Sequence, residues 1–414
     1  TSMSKPNDTY CPLPFVATTT SPDGYCRLCC ESTIPYYTKV TDLKQWWTSD
    51  TIKEIRRKML QGEHVKDCEV CYKEEKTLGT SLRTQEISHW GKIEQATELP
   101  IYLDMKLGNF CNFRCLMCDP LSSNRIMNEW RELGWDKELP FREASVNHHD
   151  ISTAWSTDWS WPNELEFWKI VQECIISGGK KLKFTGGEPF LNPHVLKIIS
   201  SVDKDVDMRF TTNGSIWNSK IENALKNRSD LHIVVSIEGT RLVNDYIRDG
   251  SEYDVILENY NQMQKYCKTI CWQTSFGAIN LQDMPDFIAQ CIEKKQHIAL
   301  IEIRGPEFMQ ITALTKQARK QTIEKLNHLK STITTGMLGQ TKVDLTANNE
   351  TVQKLFAHTD EAKMSSEIDS LIKIIESSLE ISQSSKPLIN YLSTLDKSRS
   401  KDYKSILKHS DFNP

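Results

Sequence analysis

The sequence predicts an α/β fold in which six parallel βα units form a partial (β/α)6 barrel over residues 99–306. Two observations lead to this prediction. Short apolar segments of strand length, partly β-branched, recur at residues 101–107, 181–185, 206–212, 231–237, 272–279 and 298–303. Amphipathic segments such as 194–202 and 254–267 lie between most of them. Strands that alternate with helices pair in parallel, and ligands of such a barrel bind at the carboxyl ends of its strands.

The parts of the chain that flank the barrel differ in their residue types. Nine of the 13 cysteines precede residue 119, and none follows Cys291. We therefore expect a metal-rich N-terminal domain over residues 1–98 and a mainly helical C-terminal region over 307–414. An apolar stripe at residues 368–379 has the helical period and is typical of a helix that faces a core.

Composition excludes several classes of protein. With 38% hydrophobic and 26% charged residues, the 414-residue chain is typical of a soluble globular protein. Its net charge of −4 gives no strong field for nucleic acid or an anionic membrane, and no apolar run reaches the roughly 18 residues of a membrane span. We expect a cytoplasmic protein with reduced thiols, so metal binding explains the 13 cysteines better than disulfides do.

Three cysteines stand close together in CNFRCLMC, residues 111–118: Cys111, Cys115 and Cys118. Structural zinc takes four closed ligands, usually from paired short spacings, and this C-x3-C-x2-C spacing has no local fourth ligand. A [4Fe–4S] cluster can be held by three thiolates, which leaves one iron open to a small ligand. The motif follows the first predicted strand, where a barrel places its active site.

A second motif, TGGEP at residues 185–189, follows the second predicted strand. Its glycines let the backbone approach a ligand closely, and Glu188 can accept hydrogen bonds from an ammonium group. Alone, the motif is also compatible with a simple turn, and no Gly-Lys-Ser/Thr follows to make it a phosphate loop. Together with the three-cysteine motif it resembles the radical SAM superfamily. In that family S-adenosylmethionine (SAM) chelates the open iron of a [4Fe–4S] cluster.

The resemblance implies roles for individual residues. It implies that the three clustered cysteines ligate the catalytic cluster. It also implies that Gly186, Gly187 and Glu188 contact the SAM amino group. TTNG at residues 211–214 resembles the motif of the third strand, which places Asn213 near SAM.

SIEG at residues 236–239 resembles the motif of the fourth strand, and a following arginine, Arg248, would hold the SAM carboxylate together with Ser236. Two departures from the family pattern stand out. Met117 replaces the aromatic residue that many members have before the third cysteine. Glu238 replaces the usual Asp; it is either a catalytic group on the SAM or substrate side or a solvated turn residue.

The upstream cysteines resemble an auxiliary iron–sulfur domain. The spacing of Cys11, Gly24 and Cys29, followed by Cys68-x2-Cys71, resembles the opening of the SPASM motif. Without further cysteines before the barrel, the pattern matches the shorter twitch domain. The resemblance implies a second, auxiliary [4Fe–4S] cluster ligated by these four cysteines, here in a domain that precedes the barrel. Adjacent Cys30 is an alternative to Cys29, and a structural zinc site is an alternative to the cluster.

A tryptophan-rich insertion over residues 119–178 is longer than one connecting helix needs, and it holds six of the chain's 11 tryptophans. The rings either cover the barrel mouth as core residues or form a substrate-facing wall or lid. His148 and His149, in the same stretch, are either acid/base groups or simply solvated.

The predicted function is that of a radical SAM oxidoreductase or modifying enzyme. The resemblance implies reductive cleavage of SAM to a 5′-deoxyadenosyl radical, which abstracts a substrate hydrogen, with the auxiliary cluster aiding oxidation. A peptide is narrowly favoured as the substrate over a small polar molecule such as a nucleotide, sugar or amino acid. The remaining alternative to an enzyme is a non-enzymatic iron–sulfur protein. The implied electron donor is a low-potential protein such as flavodoxin or ferredoxin; no membrane or nucleic-acid partner is expected.

Overall fold

The computed structural model describes residues 9–32, 34, 38–140, 151–336, 361–407 and 411–413. Its strands are β1 (Ala17–Thr20), β2 (Cys26–Arg27), β3 (Tyr102–Lys106), β4 (Arg114–Cys115), β5 (Lys181–Thr185), β6 (Asp207–Thr212), β7 (Leu231–Ser236), β8 (Arg248–Asp249), β9 (Thr269–Phe276) and β10 (Ile298–Glu302). Its helices are α1 (Leu13–Val16), α2 (Leu43–Trp47), α3 (Asp50–Gln61), α4 (Glu69–Leu78), α5 (Leu82–Trp90), α6 (Asn124–Glu132), α7 (Leu165–Ile176), α8 (Pro193–Ser201), α9 (Ser219–Leu225), α10 (Arg241–Ile247), α11 (Tyr253–Met263), α12 (Met284–Glu293), α13 (Lys316–Gly336), α14 (Glu361–Ser377) and α15 (Lys386–Arg399).

The main sheet has the strand order β10-β9-β7-β6-β5-β3-β1-β2. From β3 to β10 its neighbours are parallel and follow one another in chain order, which is the arrangement of a partial βα barrel. All six predicted strands are present, so the predicted fold class is confirmed. The fifth strand lies three residues earlier than predicted and ends at Phe276, because the next backbone N–H, that of Gly277, donates to the Asn280 side chain at 2.9 Å and turns the chain.

The sequence did not predict that the N-terminal region would extend this sheet. β1 pairs in parallel with β3, with Ala17 opposite Tyr102, and β2 closes the edge as an antiparallel partner of β1. β1 is only four residues long, although three of them are β-branched threonines. The cysteine-rich region before residue 98 is therefore joined to the barrel by backbone hydrogen bonds.

The two faces of the sheet have different chemistry. Trp272 on β9 contacts Tyr260 of α11 and Phe287 of α12, so its face is the one that the helices cover. In register with it on neighbouring strands lie buried apolar residues such as Phe184 and Phe210. The alternate positions face the barrel lumen and are mainly polar: Asp104, Lys106, Lys183, Arg209, Thr211, Ser236, Gln273 and Ser275.

The C-terminal region is helical, as predicted, and packs on the barrel. The apolar stripe in α14 is core: Ile368, Leu371 and Ile375 are at most 1% exposed. Glu367 of the same helix accepts a 3.1 Å hydrogen bond from the backbone N–H of Leu300, on the edge strand β10. Among the described residues, no helix is both long and apolar enough to cross a membrane.

Candidate active site and auxiliary cysteine site

The three-cysteine loop, residues 111–118, lies at the carboxyl end of β3. Its middle cysteine belongs to β4, which pairs antiparallel with β8, so that Cys115 stands opposite Arg248. The backbone N–H of Leu116 donates to the Ile247 carbonyl at 2.9 Å, and that of Cys118 donates to the Cys115 carbonyl at 3.1 Å. These bonds fix the loop above the sheet and turn its three thiols toward a common space.

The thiols of this loop lie in a buried environment. Burial raises the pKa of Cys111 to about 12, and neighbouring Cys115 raises it further while Arg248 opposes the shift. The pKa of Cys118 is well above its usual value, because of burial and then the charges of Asp119, Cys115 and Cys111. Three thiolates here would repel one another, so a bound cation is needed to hold them deprotonated.

One set of potential metal ligands lies close together outside both groups of cysteines. In the part of the chain that the structure describes, the one group of three potential ligand atoms within 4.8 Å of one another is Asp207, Asp230 and His232, and it contains no cysteine.

The set of Asp207, Asp230 and His232 lies at the other end of the barrel, and its carboxylates already pair with basic side chains. Asp207 pairs with Arg209 at 2.9 Å, and Asp230 pairs with Lys268 at 2.9 Å. His232 bridges them, at 2.9 Å from Asp230. We interpret this group as a structural ion-pair network.

The Gly-Gly-Glu loop packs directly against the three-cysteine loop. The Glu188 backbone N–H donates to the Phe110 carbonyl at 2.8 Å. Gly187 has φ +60°, and a Cβ there would lie 2.5 Å from the same carbonyl oxygen, so only glycine fits this contact. The stem of Lys106 packs against Gly186 in the same way.

The Glu188 carboxylate is 1% exposed and connects the ends of β5 and β6. It accepts hydrogen bonds from the Thr212 hydroxyl at 2.7 Å and from the backbone N–H groups of Asn213 and Phe190 at 2.7 and 3.0 Å. Burial raises its pKa, and these donors oppose the rise. One oxygen keeps free acceptor capacity, since it receives only the Asn213 N–H.

Asn213 links β6 to the three-cysteine loop. Its side-chain amide donates to Asn112 Oδ1 at 2.8 Å and lies 4.0 Å from the Cys111 sulfur. Its own oxygen accepts from the Ser215 backbone and hydroxyl. The residues predicted to meet SAM at β5 and β6 are thus brought next to the cysteines.

Glu238 and Arg248 form a buried ion pair at 2.7 Å, with Glu238 only 2% exposed. The second Glu238 oxygen accepts the Ser275 backbone N–H at 2.7 Å. Glu238 is therefore not the solvated turn residue that was one of the two interpretations. Arg248 Nε has no hydrogen-bond partner among the described residues, so part of the guanidinium remains available. Ser236, at the end of β7, faces the same lumen in register with Gln273.

The four upstream cysteines, Cys11, Cys29, Cys68 and Cys71, line one cavity together with Leu13, Glu31, Asp67, Leu82 and Arg83. Burial raises the pKa of Cys11 to about 12 and that of Cys71 to about 11. The pKa of Cys29 is well above its usual value, from burial and then from the charges of adjacent Cys30 and of Cys68, Cys11 and Cys71. The sequence thus predicted a set of residues that does meet in space, although they lie up to 60 positions apart.

The structure separates Cys29 from its neighbour Cys30. The Cys30 thiol interacts electrostatically with Lys183, Asp104 and Lys106, which face the barrel lumen, as well as with adjacent Cys29, but it does not line the cavity. The thiol of Cys26, at the start of β2, lies near Cys174 instead. Cys29 is accordingly the fourth member of the cavity.

The tryptophans of the insertion are largely core residues. Trp130 is 2% and Trp161 6% exposed, and the Trp161 indole donates to the Pro22 carbonyl at 2.9 Å. Gly24 allows this packing: at φ +86°, a Cβ there would lie 2.9 Å from the Trp161 ring. Trp159 lies near the end of β3, 3.9 Å from where a Cβ on Gly108 would lie. His148 and His149 lie outside the described residues.

Comparison with known proteins assigns the central region to a family. Residues 105–291 match the model of the Radical SAM superfamily. This similarity supports the predicted superfamily and the prediction of an enzyme. The superfamily implies a [4Fe–4S] cluster and SAM.

Curated proteins that are similar to this chain include two GTP 3′,8-cyclases. That of Campylobacter lari is 29% identical over 125 residues, which cover 30% of this chain and 30% of the relative. That of Helicobacter pylori is 25% identical over 217 residues, which cover 51% of this chain and 56% of the relative. The chain thus matches between 30% and 56% of the length of these relatives.

Among solved structures, Streptococcus suis SuiB is similar at a TM-score of 0.36 and 12% identity, over 76% of this chain and 69% of that one. TYW1 with a lysine–pyruvate adduct bound is similar at a TM-score of 0.31 and 16% identity, over 53% of this chain and 70% of that one. Likeness at this level carries no information about substrate.

Proposed function

We propose that this radical SAM protein is an enzyme whose [4Fe–4S] cluster is held by Cys111, Cys115 and Cys118, with the fourth iron left to SAM. The supporting observation is the convergence of three separate loops. The Gly-Gly-Glu loop is hydrogen-bonded to the three-cysteine loop through Phe110, Asn213 reaches it through Asn112, and Arg248 lies opposite Cys115. An electron carrier needs no such set of polar residues beside its cluster, so the enzyme is favoured over the non-enzymatic alternative.

When bound, the cluster and SAM together supply one-electron cleavage of SAM to methionine and a 5′-deoxyadenosyl radical, which abstracts a hydrogen atom from the substrate. The chain's own residues hold and orient the cofactor. Glu188 has one oxygen with spare acceptor capacity for the SAM ammonium, next to the backbone of Gly186 and Gly187. The Arg248 guanidinium and the Ser236 hydroxyl are suited to the carboxylate, because a guanidinium offers parallel donors to it.

Glu238 has a positioning role in this proposal. It neutralises Arg248 and anchors it to the β9 backbone through Ser275. We assign it no contact with the reacting atoms.

We further propose that residues 1–98 hold an auxiliary [4Fe–4S] cluster through Cys11, Cys29, Cys68 and Cys71. The support is the cavity that these four cysteines share. The cavity lies beside the lumen, since adjacent Cys30 faces it. An auxiliary cluster at this place is suited to accept an electron from a substrate radical, and a flavodoxin or ferredoxin would reduce the SAM-binding cluster.

For the substrate, a small polar molecule is better supported than a peptide. The barrel lumen is lined by charged and hydroxyl side chains rather than apolar pockets. The curated relatives named above are called GTP 3′,8-cyclases, which favours a nucleotide or similar molecule over a peptide. A peptide is the alternative substrate.

The test is reductive SAM cleavage. Anaerobically reconstituted protein is incubated with SAM and dithionite, and 5′-deoxyadenosine is measured. Alanine at Cys111, Cys115 and Cys118 should abolish its formation. Alanine at Cys271, a lumen-side thiol outside both cysteine sets, is the control and should leave it unchanged. A wild-type protein that holds its iron and forms no 5′-deoxyadenosine would contradict the proposal.

The auxiliary cluster is tested separately. The double variant Cys68→Ala, Cys71→Ala should keep SAM cleavage without substrate but lose product formation. Circular dichroism and iron content identify simple unfolding of the N-terminal region, since a closed metal site contributes to folding. If the folded variant, with about four irons, still makes product normally, the cluster has only a structural role.

A further inference from the structure

Three cationic side chains face the barrel lumen between the two cysteine sites. Lys106 ends β3, Lys183 lies on the neighbouring strand β5, and Arg27 lies on β2 in register with the lumen side. The pKa of Lys106 is lowered by burial first and then by the charge of Arg27; Asp104 and Cys30 oppose this shift, and Lys183 adds to it. The three cations therefore interact, and their repulsion is unfavourable unless an anion joins them.

Two of these cations have a counter-charge in the protein. Lys183 Nζ pairs with Asp104 Oδ2 at 2.9 Å. Arg27 interacts electrostatically with Asp67, on the side of the cysteine cavity. Both charges are thus partly balanced without a ligand.

Lys106 differs from the other two. Within the described residues its ammonium makes no ion pair or hydrogen bond, although the side chain is half-buried. Its stem is held against Gly186 of the SAM-binding loop. The charges of Asp104 and Asp119 act on Lys106, but neither carboxylate forms an ion pair with it. Lys106 is left as the cation that lacks a partner of its own.

A polar acceptor lies beside these cations. Asp104 is 3% exposed, and its Oδ1 has no hydrogen-bond partner among the described residues, while its Oδ2 binds Lys183. A buried polar atom without a partner is costly, so an N–H or O–H donor is expected to meet it. The lumen therefore offers a cation for an anionic group and an acceptor for a donor on the same ligand.

We propose that Lys106, together with Lys183, binds an anionic group of the substrate, a phosphate or a carboxylate, in the lumen between the two cysteine sites. This inference rests on the proposed function and narrows its substrate class to small anionic molecules. Lys106 provides most of the positive charge, because the ion pair with Asp104 offsets part of the charge of Lys183. Removing the charge of Lys106 should therefore weaken anion binding, whereas removing the charge of Asp104 should strengthen it.

The test is a titration of the reconstituted, SAM-saturated holoprotein with inorganic pyrophosphate and, separately, with succinate, followed by anaerobic calorimetry. We expect saturable binding of one of them, and the one that binds identifies the group as phosphate or carboxylate. Lys106→Met, which keeps the aliphatic stem, should weaken that binding about tenfold or more, the size of a lost charge-assisted hydrogen bond. Asp104→Asn should strengthen it. Lys204→Met changes an exposed lysine and is the control.

Binding of neither anion to the wild-type protein would overturn the inference, and so would equal affinities in the wild type, Lys106→Met and Asp104→Asn. Iron content of each variant, measured before titration, reports its fold, and the opposite shift in Asp104→Asn cannot arise from misfolding. Failure of the proposed function has a different signature. In that case the wild-type protein forms no 5′-deoxyadenosine from SAM, whatever its affinity for anions.

Discussion

The Tyr391 hydroxyl donates a 2.9 Å hydrogen bond to the Leu116 carbonyl, inside the three-cysteine loop and 275 positions away in the sequence. Tyr391 lies on α15, and its ring stacks on Trp135 with centroids 5.7 Å apart. Arg399, at the end of the same helix, forms a buried ion pair with Glu129 at 2.6 Å. The C-terminal helix thus supports the loop that we propose as the cluster ligand.

Tyr391→Phe should make the cluster easier to lose. The change removes one hydrogen bond and leaves the buried Leu116 carbonyl unpaired, at a cost of about 1–3 kcal/mol. We expect a lower melting temperature and faster iron release to a chelator in the anaerobic holoprotein. Tyr266→Phe is the control, because it also loses a hydrogen bond, to Glu222 at 2.6 Å, outside both proposed cluster sites. Iron release equal in both variants would argue against a supporting role for α15.

Serine substitutions at the adjacent Cys29 and Cys30 should have different effects. Two [4Fe–4S] clusters contain about eight irons per chain. Since only the Cys29 thiol faces the other three cysteines, Cys29→Ser should lower iron content toward about four, whereas Cys30→Ser should leave it near eight. Iron analysis and absorption spectra provide the measurement. A loss of iron in Cys30→Ser with none in Cys29→Ser would reverse the assignment.

Glu188→Gln should weaken SAM binding. The neutral amide cannot pair with an ammonium group, and losing a charge-assisted hydrogen bond costs about 1.5–3 kcal/mol, or about tenfold or more in affinity. Thr212→Val is a matched control: it removes the 2.7 Å hydrogen bond to the same carboxylate but no charge. Equilibrium dialysis of both variants gives the SAM affinity, and melting temperature gives the stability. If both lose SAM equally, Glu188 acts by holding the loop in place.

The sequence was sufficient for the parts of the fold that depend on local pattern. Six strands could be located because each is a short apolar or β-branched run, and the three-cysteine loop could be found because its members lie within eight positions. β1 was missed because four residues carry too weak a periodic signal.

The features that could not be predicted from the sequence depend on packing between segments that are distant along the chain. Cys29 and Cys30 share one loop, and their separation follows from how β2 lies against the barrel, so that one thiol faces the cavity and the other faces Lys183. Lys106 and Lys183 look like ordinary strand residues until parallel pairing places both on the lumen side. Likewise, no local pattern indicates that Tyr391 reaches the cysteine loop.

The buried pair of Glu238 and Arg248 supports a last prediction, which distinguishes a positioning residue from one that contacts SAM. Glu238→Gln leaves the Arg248 guanidinium buried without its counter-charge, which typically destabilises a protein by about 3–5 kcal/mol. Because Arg248 itself remains, SAM affinity should fall by less than about threefold, whereas Arg248→Met should lower it by about tenfold or more.

The double variant Glu238→Gln, Arg248→Met completes this cycle. It removes both buried charges, so its melting temperature should lie above that of Glu238→Gln alone, while its SAM affinity should match that of Arg248→Met. Melting curves and SAM titrations of the four proteins give both quantities. If Glu238→Gln alone lowers SAM affinity as much as Arg248→Met does, in protein with normal iron content, then Glu238 takes part in binding SAM, since positioning through Arg248 predicts a small effect.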